Sequence, residues 1–226
     1  MLRQINRYSY LKVLFILSGA LIFGSGAFAS TIAFDFDSAP TSSDSQLTLG
    51  FRFHVNQDLM VLALGYYDDA GDGLADQHDV GIFDAYGNLL VSTTVAAGTV
   101  DPLVGQFRYQ TINPIALTAG QVYTIGATTN GPADPWAYGA AGSSLENFAA
   151  DPALHIGEHA GVFVYQCDNL LQEPTHHYGY TIYAGPNFQF QTLLSTPEPG
   201  TGIILASALA VLSLMTKLRK KATPEQ

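Results

Sequence analysis

The densest group of potential metal ligands in the sequence is an acidic stretch that also contains glycine. When Asp68 is taken as the first position of a loop, Asp72 falls at position 5, Asp76 at position 9 and Asp79 at position 12, which is the spacing of a calcium-binding loop. Position 3 carries Ala, and position 12 carries Asp where such loops usually have Glu. The pattern predicts a calcium site on these four carboxylates. The alternative is a solvated turn in which Asp and Gly only provide turn geometry.

A second group of chemically useful side chains is aromatic. Trp136 and Tyr138 lie between Pro135 and Gly139, in a stretch that we predict to be a loop, and exposed rings of this kind can stack on a sugar. More tyrosines follow at Tyr178, Tyr180 and Tyr183. We therefore predict Trp136 and Tyr138 as carbohydrate-binding residues. The alternative is that these rings pack over the edge of a sheet.

The catalytic motifs in the sequence are weak. His155, Glu158 and His159 have the order of an inverted zincin motif, but the glycines on either side favour a strand or turn over the helix that such a motif needs. No Gly-x-Ser-x-Gly elbow occurs, and the lone Cys167 is followed by Asp168 and has no basic neighbour. We therefore expect a protein without enzymatic activity.

Composition and charge exclude several classes of function. The 226 residues include 9 Lys and Arg against 19 Asp and Glu, a net charge of −10, and a single Cys. Binding nucleic acid requires a cluster of basic side chains that displaces counterions, so we expect no nucleic-acid partner. One Cys excludes both an intramolecular disulfide and a four-Cys zinc site.

The basic residues lie almost entirely at the two ends of the chain. Between residues 30 and 196, only Arg52 and Arg108 stand against 17 acidic residues, a net charge of −15. Each of these arginines lies between two aromatic residues, in Phe51-Arg52-Phe53 and in Phe107-Arg108-Tyr109. Strand alternation predicts that the rings point inward and that both arginines point to solvent, where they bond neighbouring carboxylates.

The part of the chain between the ends reads as a series of short strands. Apolar or alternating runs rich in Val, Ile, Thr, Tyr and Phe are separated by turn signals such as Tyr86-Gly87-Asn88 and Thr118-Ala119-Gly120. This pattern predicts an all-β, antiparallel β-sandwich of jelly-roll-like type over residues 30–194. Residues 130–158, rich in Gly, Ala, Pro and Asp, are predicted to be a long loop with one helical turn near residues 144–148.

The N-terminal residues 1–29 have the pattern of a signal peptide. Basic residues precede an apolar run over residues 13–23, and Ala27-Phe28-Ala29 is a small-x-small cleavage site. Cleavage after Ala29 would leave Ser30 as the first mature residue. We therefore expect export through the Sec translocon and cleavage by signal peptidase.

The C-terminal residues 195–226 combine three unlike segments. Pro197-Glu198-Pro199 precedes an uncharged apolar run over residues 200–216, and a basic cluster follows over residues 217–221. The 17-residue run is at the short limit for a transmembrane helix. The basic cluster should stay in the cytoplasm, so the preceding domain should face outward.

This order of segments resembles the PEP-CTERM sorting signal of exopolysaccharide-producing Gram-negative bacteria. The resemblance implies that an exosortase-type membrane enzyme processes the tail near Pro197, Glu198 and Pro199. It also implies a protein that is exported by a Gram-negative bacterium and anchored for a time in the inner membrane, with its domain in the periplasm. The protein would then reach the cell surface or the extracellular space.

The predicted domain contains a series of turns and apolar strands in a characteristic order: Leu49-Gly50-Phe51-Arg52-Phe53, Ala63-Leu64-Gly65-Tyr66-Tyr67-Asp68, Asp72-Gly73-Leu74, His78-Asp79-Val80-Gly81-Ile82-Phe83-Asp84, Gly87-Asn88-Leu89-Leu90, Leu117-Thr118-Ala119-Gly120-Gln121-Val122-Tyr123 and Gly185-Pro186-Asn187-Phe188-Gln189-Phe190. In these segments the domain resembles the uncharacterised DUF4082 β-sandwich modules that recur in PEP-CTERM proteins. The resemblance implies a fold and brings no catalytic residues.

Together these patterns favour a sorted envelope or matrix protein with a structural or adhesive role. The alternative function is a calcium-assisted module that binds the cell's own exopolysaccharide.

Overall fold

A computed structural model describes residues 30–43, 46–165, 170–177 and 179–193, and the regular elements in these ranges are all β-strands. The described ranges contain no helix long and apolar enough to cross a membrane. The predicted signal peptide up to Ala29, the sorting motif and the C-terminal apolar run all lie outside the described residues, as does Cys167. The prediction of an all-β domain is confirmed.

The strands follow one another in this order: β1 (Thr31–Ile32), β2 (Phe34–Asp35), β3 (Thr41–Ser42), β4 (Leu47–Val55), β5 (Leu59–Tyr67), β6 (His78–Phe83), β7 (Leu89–Val95), β8 (Leu103–Val104), β9 (Phe107–Leu117), β10 (Val122–Thr128), β11 (Trp136–Gly139), β12 (Ala149–Ala150), β13 (Leu154–His155), β14 (Gly161–Tyr165), β15 (His176–His177), β16 (Ile182–Ala184) and β17 (Pro186–Thr192).

Two large sheets carry most of these strands. One has the order β1-β17-β5-β9-β8, and the other has the order β15-β14-β4-β10-β6-β7, with β13 also paired to β4. A small sheet has the order β16-β11-β3, and β12 pairs with β2. The ladders between these strands are antiparallel, as predicted.

The core lies between the two large sheets. Alternate residues of each strand point to the same face, so Phe51 and Phe53 of β4 meet Phe188 and Phe190 of β17, with ring centroids of Phe53 and Phe188 5.0 Å apart. All four rings are buried in one continuous apolar cluster. This packing gives the domain a β-sandwich-like architecture.

Three glycines lie side by side across the second large sheet. Gly126 of β10 pairs with Gly50 of β4 on one side and with Gly81 of β6 on the other. A Cβ atom at Gly126 would lie 2.9 Å from Pro174 Cδ, and one at Gly81 would lie 2.7 Å from Leu171 Cδ2. The absence of side chains at Gly126 and Gly81 therefore lets residues 171–174 lie directly on the sheet.

The stretch 130–158 was predicted to be a long loop, and that prediction is wrong in part. It contains β11, β12 and β13, and residues 144–148 form turns and bridges where a helical turn was predicted. β11 and β12 pair with other short segments, β3, β16 and β2, whereas β13 adds two residues to the ladder of the long strand β4. Local composition could not reveal these distant partners.

Candidate functional site

A groove lined by aromatic side chains opens where the small sheet packs against β4 and β14. The register places Phe163 beside Leu49 and Tyr165 beside Leu47, and cross-strand neighbours share one face of a sheet. In the small sheet, Tyr138 pairs with Tyr183 and Trp136 with Ser42. These two faces enclose a cavity of about 370 Å³, a volume in the range of small-ligand sites.

The aromatic rings of the groove form a connected network. The ring centroids of Trp136 and Tyr138 are 5.4 Å apart, those of Tyr138 and Tyr180 are 5.0 Å apart, and those of Phe163 and Tyr183 are 5.8 Å apart. Edge-on and tilted contacts at these distances are favourable for aromatic pairs. The rings therefore hold one another in place, so the groove is preformed. The complete lining is Ser42, Leu47, Leu49, Trp136, Tyr138, Phe163, Tyr165, Tyr180 and Tyr183.

The two predicted sugar-binding residues meet in this groove, but not as an exposed loop. Both belong to strand β11, and Trp136 is only 6% exposed, with its indole Nε1 buried and without an acceptor among the described residues. Tyr138 is partly exposed, and Tyr165 at the rim is 77% exposed. Trp136 thus supports the groove from below, while the tyrosines offer more of their surface to a ligand.

Part of the groove could be predicted from the sequence, and part could not. Tyr180 and Tyr183 were predicted with the first pair and do line it, whereas Tyr178 lies outside the described residues. Phe163 and Tyr165 were missed. Their alternate spacing on one strand was visible in the sequence, but nothing local showed that β14 would lie opposite the small sheet.

The predicted calcium loop is held by a side chain of the protein itself. Arg108 Nε donates to Asp68 Oδ2 at 2.6 Å, and its Nη2 donates to the carbonyl oxygen of Gly71 at 3.0 Å. Asp68 Oδ2 also accepts from the amide of Gly73, and Arg108 Nη1 donates to the carbonyl of Asp101. The guanidinium therefore binds a carboxylate and a carbonyl of this loop, the two kinds of oxygen that calcium would use.

The prediction that Arg108 points to solvent is wrong. The side chain is buried together with Asp68, each residue being 4% exposed. The alternation along β9 is overridden because the acidic loop and the segment before β8 cover the first residues of this strand and supply acceptors for all three nitrogens. Arg52 is exposed, as predicted, but among the described residues it forms no ion pair with a carboxylate.

A second buried pair holds the other side of the acidic loop. Asp134 accepts from the amides of Ala75 and Asp76 at 2.8 and 2.7 Å and faces His78 Nε2 at 3.0 Å. Burial acts to raise the pKa of Asp134, but the hydrogen bonds from His78, Ala75 and Asp76 outweigh it and hold that pKa below its ordinary value. This carboxylate therefore fixes the loop as an acceptor.

The His78 ring is enclosed on all sides. Its Nδ1 lies 2.8 Å from the carbonyl oxygen of Thr128, and its plane stacks on the Tyr66 ring with centroids 3.6 Å apart. Burial, followed by the charge of Asp134, raises the pKa of Tyr66 far above its ordinary value. The Tyr66 hydroxyl therefore stays protonated, and the cluster is a structural support with no access to a substrate.

Of the remaining predicted calcium ligands, one has a partner of its own and two are exposed. Asp79 accepts from the Thr94 hydroxyl at 2.6 Å, while Asp72 and Asp76 are exposed. Among the described residues, no three His, Cys, Asp or Glu side chains are grouped so that they could hold a metal ion. Asp68, Asp72, Asp76 and Asp79 are therefore neighbours in sequence that the fold does not bring to one point.

The zincin-like residues have no helix to align them. His155 ends β13 and His159 lies in the turn before β14, both exposed. This agrees with the strand or turn that their glycine neighbours predicted.

The comparisons with known proteins identify a family without a described activity. The model of a domain of unknown function, DUF4082, matches residues 36–184. No curated protein matches the chain.

Proposed function

The chain belongs to the DUF4082 family, and we propose that it is a non-enzymatic, exported module that binds a carbohydrate in its aromatic groove and so serves an adhesive role at the cell envelope. The domain on which this groove lies would be a jelly-roll-like β-sandwich. The proposal unites the two functions that the sequence suggested, adhesion and exopolysaccharide binding, and it requires no calcium.

The observation that carries the proposal is the composition of the groove. Its described lining combines six aromatic rings with the hydroxyl groups of Ser42 and the tyrosines, and includes no charged side chain. Sugar rings present an apolar face and a rim of hydroxyls, which match an aromatic surface bordered by hydroxyl groups. The absence of charge in this lining favours an uncharged sugar unit as the group that enters.

The same groove gives no support to catalysis. Its described lining contains no carboxylate, His, Cys or Lys that could act as acid, base or nucleophile. The buried His78–Asp134 pair is out of reach of a ligand, with its His side chain fully enclosed. Binding without turnover is the simpler role for this arrangement.

The sequence patterns at both ends supply the proposed location. We propose that the signal peptide directs the chain to the Sec translocon and is cut before Ser30, and that an exosortase-type enzyme acts near Pro197, Glu198 and Pro199. The protein would be anchored for a time in the inner membrane of a Gram-negative bacterium and then reach the cell surface. The large negative charge between residues 30 and 196 suits a protein that avoids nucleic acid and remains dispersed in an aqueous compartment.

The binding proposal is tested by affinity electrophoresis in gels that contain exopolysaccharide from the bacterium that encodes the chain. Tyr138→Ala removes a ring that contacts both Trp136 and Tyr180, and we expect about tenfold weaker retention, since an aromatic contact is worth roughly 1 kcal/mol beyond its buried area. Tyr86→Ala is the matched control, because this tyrosine is 91% exposed on the β6–β7 turn, away from the groove. Equal mobility of wild type and Tyr138→Ala would reject the groove as the binding site.

The sorting proposal has a separate test. Replacing Pro197-Glu198-Pro199 by Ala-Ala-Ala should leave a membrane-bound species that keeps its C-terminal tail, as measured by mass spectrometry of the cell fractions. Unchanged processing would show that the apolar run is only an anchor. The same spectra check whether Ser30 is the first mature residue.

A further inference from the structure

Four histidines and the exposed arginine line a second cavity, which we call the histidine pocket. It is formed by Arg52, His54, His155, His159 and His177, together with backbone at Gly157 and Ala160, and has a volume of about 240 Å³. These residues are scattered over more than a hundred positions of the sequence. The histidine pocket and the aromatic groove have no lining residue in common.

Strand pairing brings the five side chains together. Arg52 and His54 are alternate residues of β4 and so lie on one face. His155 pairs with His54 in the β13–β4 ladder, with ring centroids 6.1 Å apart. His177 reaches the same region through β15, which pairs with β14, and the amide of Arg52 donates to the carbonyl of Ala160, next to His159. The positions of these side chains are therefore fixed by strand pairing.

The histidine pocket and the aromatic groove use opposite faces of β4. Leu47 and Leu49, which line the groove, are at odd-numbered positions of β4, whereas Arg52 and His54 are at even-numbered positions. Successive residues of a strand point to opposite faces, so the two pairs lie on different faces of the sheet. A change at one site can therefore be tested without removing a contact at the other.

The charge of this pocket is opposite to that of its surroundings. No carboxylate is among its described lining residues, although the chain between residues 30 and 196 carries a net charge of −15. Since the Arg108 guanidinium is bound to Asp68, Arg52 is the one arginine in the described residues whose side chain is not in an ion pair. A pocket that contains an unpaired positive charge and no carboxylate is suited to bind an anion.

The hydrogen bonds of two histidines couple such binding to protonation. His159 Nδ1 lies 3.1 Å from the carbonyl oxygen of Gly179, and His177 Nδ1 lies 3.3 Å from the carbonyl oxygen of His159. A carbonyl oxygen only accepts, so in each ring Nδ1 carries the proton and donates. In the neutral ring, Nε2 can then only accept a hydrogen bond, and it becomes a donor when the imidazole is protonated.

We propose that the histidine pocket binds an oxyanion group of the carboxylate, sulfate or phosphate type, and that it does so when its histidines are protonated in mildly acidic solution. Arg52 supplies a permanent planar donor, and each histidine adds a charge and an Nε2 donor when its imidazole is protonated. With neutral imidazoles, the binding would rest on Arg52 alone.

The neighbouring elements contain little that would oppose this behaviour. On β10, the residues opposite Arg52 and His54 are the uncharged Thr124 and Val122, and β14 contributes Gly161 and Val162 at its near end. The charged residue in the turn between β13 and β14 is Glu158, which is exposed and does not line the pocket. A metal is a poorer occupant, because no three of the described His, Cys, Asp or Glu side chains are placed to hold one ion.

The test is calorimetric titration of the full-length protein, in a nonionic detergent, with sodium sulfate. Sulfate keeps its charge between pH 5.5 and pH 8, so a change in affinity reports on the protein. We expect sulfate to bind at about pH 5.5, and we expect its affinity to be lower by about tenfold or more at about pH 8. Repeating the titration in two buffers of different ionisation enthalpy should show proton uptake with each sulfate bound. Galacturonic acid and inorganic phosphate, used in the same way, distinguish a carboxylate or phosphate preference.

Three variants locate the effect. Arg52→Gln should weaken sulfate binding at about pH 5.5 by about tenfold or more, and His177→Gln should reduce the proton uptake. His176→Gln is the matched control, since it is an adjacent exposed histidine that does not line the pocket, and it should bind as wild type does. Arg52→Lys, which retains the charge, covers the case in which Arg52→Gln fails to fold.

Three outcomes would overturn the proposal. These are no sulfate, phosphate or galacturonate binding at about pH 5.5, equal affinity at both pH values, and unchanged binding in both Arg52→Gln and His177→Gln. None of them bears on the carbohydrate groove, whose test uses Tyr138.

Discussion

The ion pair between Asp68 and Arg108 is the most consequential buried contact in the acidic loop. The Arg108 guanidinium binds a carboxylate and a carbonyl oxygen of the loop for which the Asp and Gly spacing predicted a divalent cation. Removing one partner of a buried pair leaves the other charge without compensation, which is costly. The geometry of this loop therefore depends on Arg108.

Arg108→Met is expected to lower the free energy of unfolding by about 3–5 kcal/mol, because it leaves the Asp68 carboxylate buried without a compensating positive charge. Arg52→Met is the matched control, since Arg52 is the other arginine between residues 30 and 196 and is exposed. Its effect should be within about 0.5 kcal/mol. Urea unfolding of both variants measures the difference, and similar small losses in the two would contradict a structural role for the pair.

The lowered pKa of Asp134 makes part of the stability depend on pH. A carboxyl group whose pKa is lower in the folded than in the unfolded state stabilises the fold above its unfolded pKa, near 3.9. That contribution is lost as the pH falls through the folded value. Since Asp134 is held low by His78 and two amides, its contribution should be complete at about pH 5 and decline below about pH 4.

Asp134→Asn removes this titration while keeping the side-chain shape. The wild type should exceed the variant in unfolding free energy at about pH 5, and the difference should shrink as the pH approaches about 3. Urea unfolding at several pH values gives both curves. A difference that stays constant over this range would show that Asp134 is not ionised in the folded protein in the way its hydrogen bonds indicate.

Gly126 of β10 and Gly81 of β6 determine how residues 171–174 cover the sheet. A Cβ atom at Gly126 would lie 2.9 Å from both Pro174 Cδ and Thr48 Cγ2. Neither atom is at the end of a long flexible side chain, so the covering segment would have to move. Gly126 is needed because Pro174 and Thr48 approach it closely, and its φ does not lie in the left-handed region.

Gly126→Ala should therefore destabilise the domain by about 1–3 kcal/mol and expose residues 171–174 to limited proteolysis. Gly157→Ala is a suitable control because a Cβ atom there meets nothing within 4 Å and its φ is not in the left-handed region. That control should be neutral or slightly stabilising, by up to about 1 kcal/mol. Equal protease sensitivity of the two variants would show that the glycine row is not what seats the segment.

The long strands could be predicted from the sequence and the groove could not. The strand Val122–Thr128 begins just after the turn signal Thr118-Ala119-Gly120, as expected, because alternation and turn residues are local properties. The groove, in contrast, depends on the pairing of Trp136 with Ser42 and of Phe163 with Leu49, which join distant parts of the chain. The burial of Arg108 has the same kind of cause, since the loop that covers it begins forty residues earlier.

The net charge of residues 30–196 should weaken the fold at low salt. With two arginines, one of them internally paired, against 17 acidic residues, like charges repel across the surface. Raising the ionic strength from about 0.01 M to about 0.15 M shortens the Debye length from about 30 Å to about 8 Å. We expect sodium chloride over this range to raise the melting temperature by about 2–4 °C, as measured by calorimetry. A fall in melting temperature would mean that salt screens net attraction instead.

Binding of a saccharide in the aromatic groove is most directly measured by the fluorescence of Trp136, because the chain contains one Trp and it lies in the groove wall. Titration with oligosaccharides released from the organism's own exopolysaccharide should change the emission saturably in wild type and in Tyr86→Ala. In Tyr138→Ala, the midpoint should move to about tenfold higher concentration. An emission that stays constant in the wild type, or the same midpoint in wild type and Tyr138→Ala, would contradict the assignment of the groove as a carbohydrate site.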